Sequence, residues 1–431
     1  GSPYYVRGNI AIANGNTLTI QAGVTVYFTS SYKLDVQGRL LAIGEDSNFV
    51  TIRASSSSTG FKGIRFDNTA STNDSSKIVY CKIYYGKALT GTSEEQQGGA
   101  IFVKGFSKLL IQNCIISNNQ SAGYGGAISC RYGASPFISN NVFCNNQSGS
   151  NGGAIYMFSN SNPYIIGNTI ANNYSSSSGG GIYANGTNPY VINCIIYGNE
   201  AAYSNDNIYP TTLNYVYYSD IEGGYSGTYN IDSDPDFVSP SSGSGTAYSG
   251  IYSNWSLQTS SPCINTGYSL GAAYDPKFDL AGYIRIDYGT IDMGAYERVQ
   301  STQVCGNIST NTTWSDYILV NCDVTVDNGK VLTIEPGTKV IFNGHNKFAV
   351  KGQVLAQGTK DSFITFTAYD KDVGWSGIRF TGVSTSNDTS KFRYSKITYG
   401  KAKGSNPDYH GGGFYITGGK IIVENCMIAN N

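Results

Sequence analysis

A period of about 27 residues runs through the first half of the chain and limits what it can fold into. Gly-Gly pairs start at Gly98, Gly125, Gly152 and Gly180, with spacings of 27, 27 and 28. Each is followed by a small residue and an isoleucine: Ala100-Ile101, Ala127-Ile128, Ala154-Ile155 and Gly181-Ile182. Asn-Asn pairs recur at Asn118-Asn119, Asn145-Asn146 and Asn172-Asn173, and Gly198-Asn199 takes the same place. A repeat this short cannot bury its own apolar face, so it must stack on its neighbours. There is no helical apolar stripe and no leucine ladder of the leucine-rich-repeat kind. Isoleucines alternate with small or polar neighbours, and the Gly-Gly and Asn-Asn pairs supply turns. The pattern predicts an all-β solenoid whose coils pair their strands in parallel around a continuous Ile/Val/Phe core. Asparagines repeated at one turn are expected to form an amide ladder that satisfies polar groups the turn buries.

A second, longer period lies over the first. Leu18-Thr19-Ile20 returns as Leu332-Thr333-Ile334, an offset of 314. At that offset Gly63-Ile64-Arg65-Phe66 returns as Gly377-Ile378-Arg379-Phe380, and Tyr85-Gly86-Lys87-Ala88 as Tyr399-Gly400-Lys401-Ala402. Gly98-Gly99 maps onto Gly412-Gly413; a two-residue deletion then brings Asn113-Cys114 onto Asn425-Cys426 and Asn118-Asn119 onto Asn430-Asn431. The expected organisation is one complete module over 1–298, made of opening coils 1–97, regular coils 98–200, and irregular coils with a cap over 201–298. A segment 299–316 follows as a linker or as the opening of the next module. Residues 317–431 are the N-terminal part of a second, truncated module. Gly1-Ser2 reads as a tag remnant, and the whole as a window on a longer tandem array.

These repeats resemble the right-handed parallel β-helix coils of pectate-lyase-like and cell-surface proteins, through the spaced Asn-Asn and Gly-Gly-Ala-Ile pattern over 98–200. Gly15-Asn16-Thr17-Leu18-Thr19-Ile20 and Gly60-Phe61-Lys62-Gly63-Ile64-Arg65-Phe66 resemble the opening blocks of secreted β-helix surface proteins. Asp234-Pro235-Asp236-Phe237, Ser261-Pro262-Cys263-Ile264-Asn265 and Ile291-Asp292-Met293-Gly294-Ala295 resemble their closing blocks. The resemblance implies a right-handed parallel β-helix at an extracellular or cell-surface location. It implies no single activity, because the family spans lyases, hydrolases, adhesins and structural proteins.

Composition narrows the function. Charged residues make up 13% and the net charge is −1, against roughly 25% charged in an ordinary domain. Without a basic excess there is nothing to neutralise a phosphate backbone, so no nucleic-acid partner is expected. No apolar run reaches the roughly 18–20 residues of a membrane span. The nine cysteines contain no CxxC, and only two histidines occur, His345 and His410; clustered zinc ligands are therefore missing. Most cysteines read as small buried hydrophobes. Cys305 and Cys322, flanking a Ser/Thr/Asn-rich loop, are the one expected disulfide.

Chemistry on the coils would need carboxylates. Calcium-dependent lyases, by the resemblance, use an acidic cluster with a basic residue, and hydrolases use an acid and a second carboxylate. No Asp or Glu lies between Gln96 and Asn199; the charges there are Lys104, Lys108 and Arg131. No catalytic residue, metal or cofactor is therefore assigned to the coils. Acidic residues gather later, at Asp220, Glu222, Asp232, Asp234 and Asp236 and at Asp275, Asp279, Asp287, Asp292 and Glu297, where turn formation is the plainer reading. Lys62, Arg65 and Arg379 read as solvated structural cations, and His410 as no catalyst, since Gln97 takes its place in the first module.

Aromatic residues make the stronger binding case. Phe102, Tyr156 and Tyr183 share one column with Ser129 between them, each one residue past an inward isoleucine and so expected to face outward. Phe137, Tyr164 and Tyr190 form a second column. Exposed rings in a row can stack on sugar faces, or serve as stacking ladders that stabilise the sheet. Three Asn-X-Ser/Thr sequons, at Asn119, Asn146 and Asn173, fall on the turn column as candidate N-glycosylation sites. The expected function is a non-enzymatic structural or adhesive repeat protein forming a stiff stalk or fibre, with glycans or copies of itself, end to end, as partners. The alternative is a polysaccharide lyase or glycoside hydrolase with its site outside the regular coils.

Overall fold

In a computed structural model, residues 2–46, 48–271, 273–283, 285–286, 290–298 and 301–431 are described; Asp287 lies outside them. The chain divides into two units, Gly1–Val299 and Gln300–Asn431. Among the described residues every ladder is parallel apart from one antiparallel pair, Phe237–Ser239 with Asn254–Leu257, and the coils stack in register except for a shift between Val304 and Gly306. Among the described residues there is no helix long and apolar enough to cross a membrane.

In the first unit each coil contributes one strand to each of three long sheets. Sheet one begins at Tyr4–Val6 and climbs through Cys81–Tyr84, Ile115–Ser117, Val142–Cys144 and Thr169–Ala171 to Asp220–Ile221. Sheet two runs from Ile10–Ile12 through Ile101–Lys104, Ile128–Arg131, Ile155–Phe158 and Ile182–Asn185 to Ile208–Tyr209. Sheet three runs from Thr17–Ile20 through Phe137–Ser139, Tyr164–Ile166 and Tyr190–Ile192 to Tyr215–Tyr217. A short fourth sheet begins at Lys87–Ala88 and ends at Glu200–Ala201. The alternation read from sequence sets the faces: Ile101, Ile128, Ile155 and Ile182 stack in one row inside the core, all fully buried.

The turns are built from paired residues with separate roles. The first of each Asn-Asn pair, Asn118, Asn145 and Asn172, has φ between 54 and 56°, the left-handed region that asparagine tolerates better than other non-glycine residues. The second forms the expected ladder: Asn119, Asn146, Asn173 and Asn199 pass Nδ2–H···Oδ1 bonds upward at 3.0, 2.9 and 2.9 Å. A second ladder joins Asn141 to Asn168 at 3.0 Å one corner earlier. There Cys81, Cys114 and Cys194 stand in for asparagine, each thiol donating to the carbonyl of the coil below, from Ala42, Ile78 and Ile165. Burial of these thiols agrees with the sequence reading; their place in a polar ladder was not visible in it.

Gly-Gly pairs keep the backbones of adjacent coils close. A Cβ on Gly126 would lie 2.2 Å from the Gly153 carbonyl oxygen of the next coil. The left-handed glycines are Gly98, Gly125, Gly152 and Gly179, so the spacing is 27 throughout and the fourth pair starts at Gly179 rather than Gly180. The run Gly179-Gly180-Gly181 hides this frame in the sequence. The same slip affects Gly411-Gly412-Gly413: Gly411 takes the left-handed conformation, and Ile378 pairs with Phe414 as Ile64 pairs with Ile101.

The closing block corrects the expectation of an end cap. Coils continue to Asp220–Ile221, but residues 237–298 run back along the outside of sheet one. Their Phe237, Trp255, Leu257, Leu280, Met293 and Ala295 pack on Val142, Cys144, Ala171 and Ile195. The reason is local. The outward face of sheet one is apolar and needs cover, and it is bordered by two rows of left-handed asparagines whose amides point outward. Asn118, Asn145 and Asn172 donate to the carbonyls of Tyr248, Gly243 and Ser241 at 2.5–2.7 Å. Asn113 and Asn193 donate to Phe278 and Tyr268 at 3.2 and 2.8 Å.

In the second unit the segment read as a linker or as the opening of the next module carries strands. Thr302–Ile308 pairs with Tyr317–Val326, and Thr312–Trp314 pairs with Val331–Ile334. Residues 302–314 are thus the first coil of this unit, and Cys305 is bonded to Cys322 across it. Coils follow through Phe348–Val350 and Ile378–Phe380 to Phe414–Ile416 around a core of its own.

Candidate functional site

With the outside of sheet one covered, the outward faces of sheets two and three carry the aromatic columns. Register places Arg65, Phe102, Ser129, Tyr156, Tyr183 and Tyr209 in one column of sheet two. The lower part is closed. Phe102 is 0% exposed and Tyr156 4%, which corrects the expectation that these rings stand free. They do point away from the core; a loop and a neighbouring ring cover them. The Arg65 guanidinium lies 4.3 Å from the Phe102 ring centroid and is pinned by the carbonyls of Gln97 and Glu94 at 3.2 and 2.6 Å. Tyr124 stacks on Tyr156 at 4.5 Å. Burial pushes the Tyr156 phenol up to about 12.

The upper part is open. Tyr183 stacks between Tyr156 and Tyr209 at 5.5 and 4.6 Å, with interplanar angles of 14° and 5°. Both Tyr183 and Tyr209 are half-buried. Arg131 flanks this column, 5.0 Å from the Tyr132 ring and 4.7 Å from Phe158.

On sheet three, Phe137, Tyr164, Tyr190 and Tyr215 form a half-buried column with successive centroids 5.9, 4.8 and 4.5 Å apart. Tyr274 of the closing block leans on Phe137 and Tyr164 at 6.1 and 5.7 Å. Sequence reading missed Tyr209 and Tyr215, because the spacing shortens after residue 200. It also missed a stack that joins the last coils to the closing block, Tyr229–Tyr218–Tyr268, with centroids 4.8 and 5.0 Å apart and Tyr229 67% exposed.

Acidic residues meet at the last coils. A crevice of about 530 Å³ is lined by Glu200, Asp206 and Glu222, and a neighbouring one of about 410 Å³ by Glu200, Asp234 and Asp236. Several of these carboxylates hold turns: Glu222 accepts from Gly198 N at 2.8 Å, Asp206 from Ala201 N at 2.9 Å, and Asp234 from Asp236 N at 2.9 Å. Among the described residues no group of three or more His, Cys, Asp or Glu is placed to hold a metal ion. Asp220 is buried apart from the crevices, accepts from Cys263 Sγ and Ser233 N, and is pushed up to about 6 by burial.

The remaining sequence candidates fall as follows. Asn119, Asn146 and Asn173 are fully buried, with amides committed to the ladder and to the carbonyls of Ile83, Ile116 and Phe143; they are corrected from glycosylation candidates to structural residues. Arg65 and Arg379 are structural but not solvated, since both are buried. Arg379 donates to His410 and Pro407 carbonyls. His410 itself is exposed beside Tyr409 and Tyr415.

Residues 62–238 match the family model described as right handed beta helix region. This match and the stacked parallel sheets fit a parallel β-helix repeat family. No curated protein matches the sequence. One solved structure, titled "Structure of PL6 family alginate lyase AlyGC", aligns at 9% identity over 98% of this chain and 72% of that one, with a TM-score of 0.15. A likeness that slight carries no argument.

Proposed function

We propose, for a chain that fits the parallel β-helix repeat family, the role of an extracellular or cell-surface structural repeat protein that offers aromatic columns to glycans. The observation that carries the reading is the open stack Tyr183–Tyr209, continuous with the buried stack beneath it. Rings fixed by their neighbours lose little freedom when a sugar face covers them. The coils that bear the columns up to Tyr183 and Tyr190 have no Asp or Glu between Gln96 and Asn199, which favours holding a glycan over cleaving it along that stretch. The Cys305–Cys322 bridge suits an oxidising compartment. Tandem coils of this kind build stiff, quasi-one-dimensional bodies, as a stalk or fibre requires.

The test is binding to a panel of neutral and acidic glycans, read by affinity electrophoresis and titration. Saturable binding is expected, weakened roughly five- to thirtyfold by Tyr183→Ala or Tyr209→Ala, as loss of about one to two kcal/mol of stacking implies. Absence of binding across the panel, or binding indifferent to both changes, overturns the reading. The crevices lined by Glu200, Asp206, Glu222, Asp234 and Asp236 support the second reading, a polysaccharide-active enzyme. Product release from a glycan, abolished by Glu200→Gln or Glu222→Gln, would establish it.

A further inference from the structure

The arginines on the coils of the first unit differ in what their N–H groups hold. Arg65 is buried and donates to the carbonyls of Gln97 and Glu94 at 3.2 and 2.6 Å. Arg53 donates to the Ala54 carbonyl at 2.9 Å and to the Tyr84 hydroxyl at 3.0 Å. Arg131 is half-buried, and its guanidinium rests on rings instead, 5.0 Å from the Tyr132 centroid and 4.7 Å from that of Phe158. Rings attract the cation but leave its N–H edge to other partners. The one acceptor found there among the described residues is the Tyr132 hydroxyl, at 3.4 Å, and Nε, itself buried, has none.

Charge sets Arg131 apart as well. Lys104, opposite it on the coil below, is paired with Glu94 at 2.8 Å and Asp67 at 3.8 Å. Arg131 has no carboxylate partner among the described residues, and no Asp or Glu lies between Gln96 and Asn199. Register joins it to the tyrosine stack. Phe158 is opposite Arg131 on the coil above, its ring 6.4 Å from Tyr156 at 10°, and Tyr156 stacks on Tyr183. Tyr183 belongs to the coil after that, about 10 Å from Arg131 at the usual spacing of paired strands, which one short oligosaccharide spans. Tyr209 continues the stack, and its neighbour Ile208 lines the crevice that holds Glu200, Asp206 and Glu222.

We propose that Arg131 is an anion-binding group beside the tyrosine stack, so that the glycan taken on sheet two is one bearing carboxylate or sulfate groups. The inference rests on the glycan reading above and names the substrate class for that site. A guanidinium already ordered by two rings takes a planar or tetrahedral oxyanion through two N–H bonds at once and loses little freedom in doing so. The net charge of the chain is −1, so the preference comes from this local group and not from long-range attraction. Charge also orients the ligand. The carboxylates of the crevice repel an anionic sugar at the Tyr209 end, while Arg131 holds one at the other end; an uncharged sugar face then covers Tyr183 and Tyr209.

The test titrates the full chain with two matched pairs: a uronic-acid oligosaccharide and its carboxyl-reduced form, and a sulfated oligosaccharide and its desulfated form. The acidic member of at least one pair is expected to bind roughly tenfold more tightly than its neutral counterpart, as a charge-assisted pair of hydrogen bonds implies, and the pair that shows it tells carboxylate from sulfate. The preference should shrink as salt is raised. Arg131→Gln is expected to bring both members to the affinity of the neutral one, and Arg131→Lys to keep a reduced preference, since it retains the charge but not the planar edge. Lys108→Gln, which removes a cation bonded to the Asn73 carbonyl, should leave the preference intact. Melting temperatures establish that each variant is folded; if Arg131→Gln is not, Arg131→Lys and the salt dependence of the unaltered chain decide. Equal affinity within both pairs, or a preference that survives Arg131→Gln or is indifferent to salt, overturns the proposal while leaving the glycan reading in place wherever Tyr183→Ala still weakens binding. Absence of binding to all four overturns the glycan reading and this inference with it.

Discussion

Asn145 and Asn146 are adjacent and hold different things. The Asn145 amide points out of the coil and donates to the closing block, at Gly243 O (2.7 Å) and Gly245 O (3.3 Å). The Asn146 amide points in, donating to Ile116 O at 2.8 Å and Asn173 Oδ1 at 2.9 Å and accepting from Asn119. Asn145→Gly keeps the left-handed turn and removes only the outward bonds, so a loss of about 1–2 kcal/mol is expected. Asn146→Ala strands buried donors and acceptors on three coils, and about 3 kcal/mol or more should be lost. Denaturant unfolding of the two variants would show this order; equal losses would break the division of roles.

Phe102 and Tyr183 share a column but not an environment. Phe102→Ala empties a fully buried site beneath Arg65 and is expected to cost about 3–5 kcal/mol of stability. Tyr183→Ala removes a half-buried ring from the open stack, costing about 1 kcal/mol, and reduces glycan binding. Melting temperature and glycan titration measured on both variants separate the two effects.

Thiol counting tests the buried ladders. Cys81, Cys114, Cys130, Cys144, Cys194 and Cys263 are buried and Cys426 is partly exposed. Burial pushes Cys130, Cys144 and Cys194 up to about 12, which removes the reactive thiolate at neutral pH. A chromogenic disulfide reagent should find one fast thiol in the native protein. It should find seven in denaturant and nine after reduction, in line with seven free cysteines and one bridge.

The parts that were legible in sequence follow from periodic sterics. Gly98, Gly125 and Gly152 mark close backbone approaches, and Asn119, Asn146 and Asn173 mark polar groups that must be satisfied in the dark of a turn. Frame errors arose at Gly179–Gly181 and Gly411–Gly413, where three glycines leave the spacing undetermined and only strand register decides. The burial of Phe102 was not legible, because Arg65, its neighbour in the column, is held against the ring by the carbonyls of Glu94 and Gln97, in a loop without periodicity. The path of residues 237–298 was hidden for the same reason. Its signal, in hindsight, was the first asparagine of each pair, an outward amide repeated along one edge.

Two buried aspartates set the last expectation, for pH. Asp279 accepts from Ala281 N, Tyr283 N and Glu297 N at 2.7–2.9 Å, yet burial pushes it up to about 6, as it does Asp220. Burial likewise raises Glu297, which pairs with Arg285 at 3.2 Å. The ordinary aspartate value in the unfolded chain is near 3.9. Between pH 4 and 6 the unfolded chain gives up these protons while the folded one retains them, so the folded state binds more protons and stability falls as pH rises. Each aspartate contributes a slope of up to about 1.4 kcal/mol per pH unit within that window and a plateau above it. Glu95, lowered chiefly by the Thr92 N–H, and Asp408, lowered by Lys347, act in the opposite sense; both are surface groups, and their effect falls below pH 4.5. The melting temperature of residues 1–298 within the full chain should therefore be higher at pH 5 than at pH 7. Asp220→Asn should flatten the profile, since the amide carries no charge to desolvate at either pH. A wild-type profile that rises from pH 5 to 7 would mean that Asp220 and Asp279 are ionised in the folded protein, with their backbone donors outweighing burial.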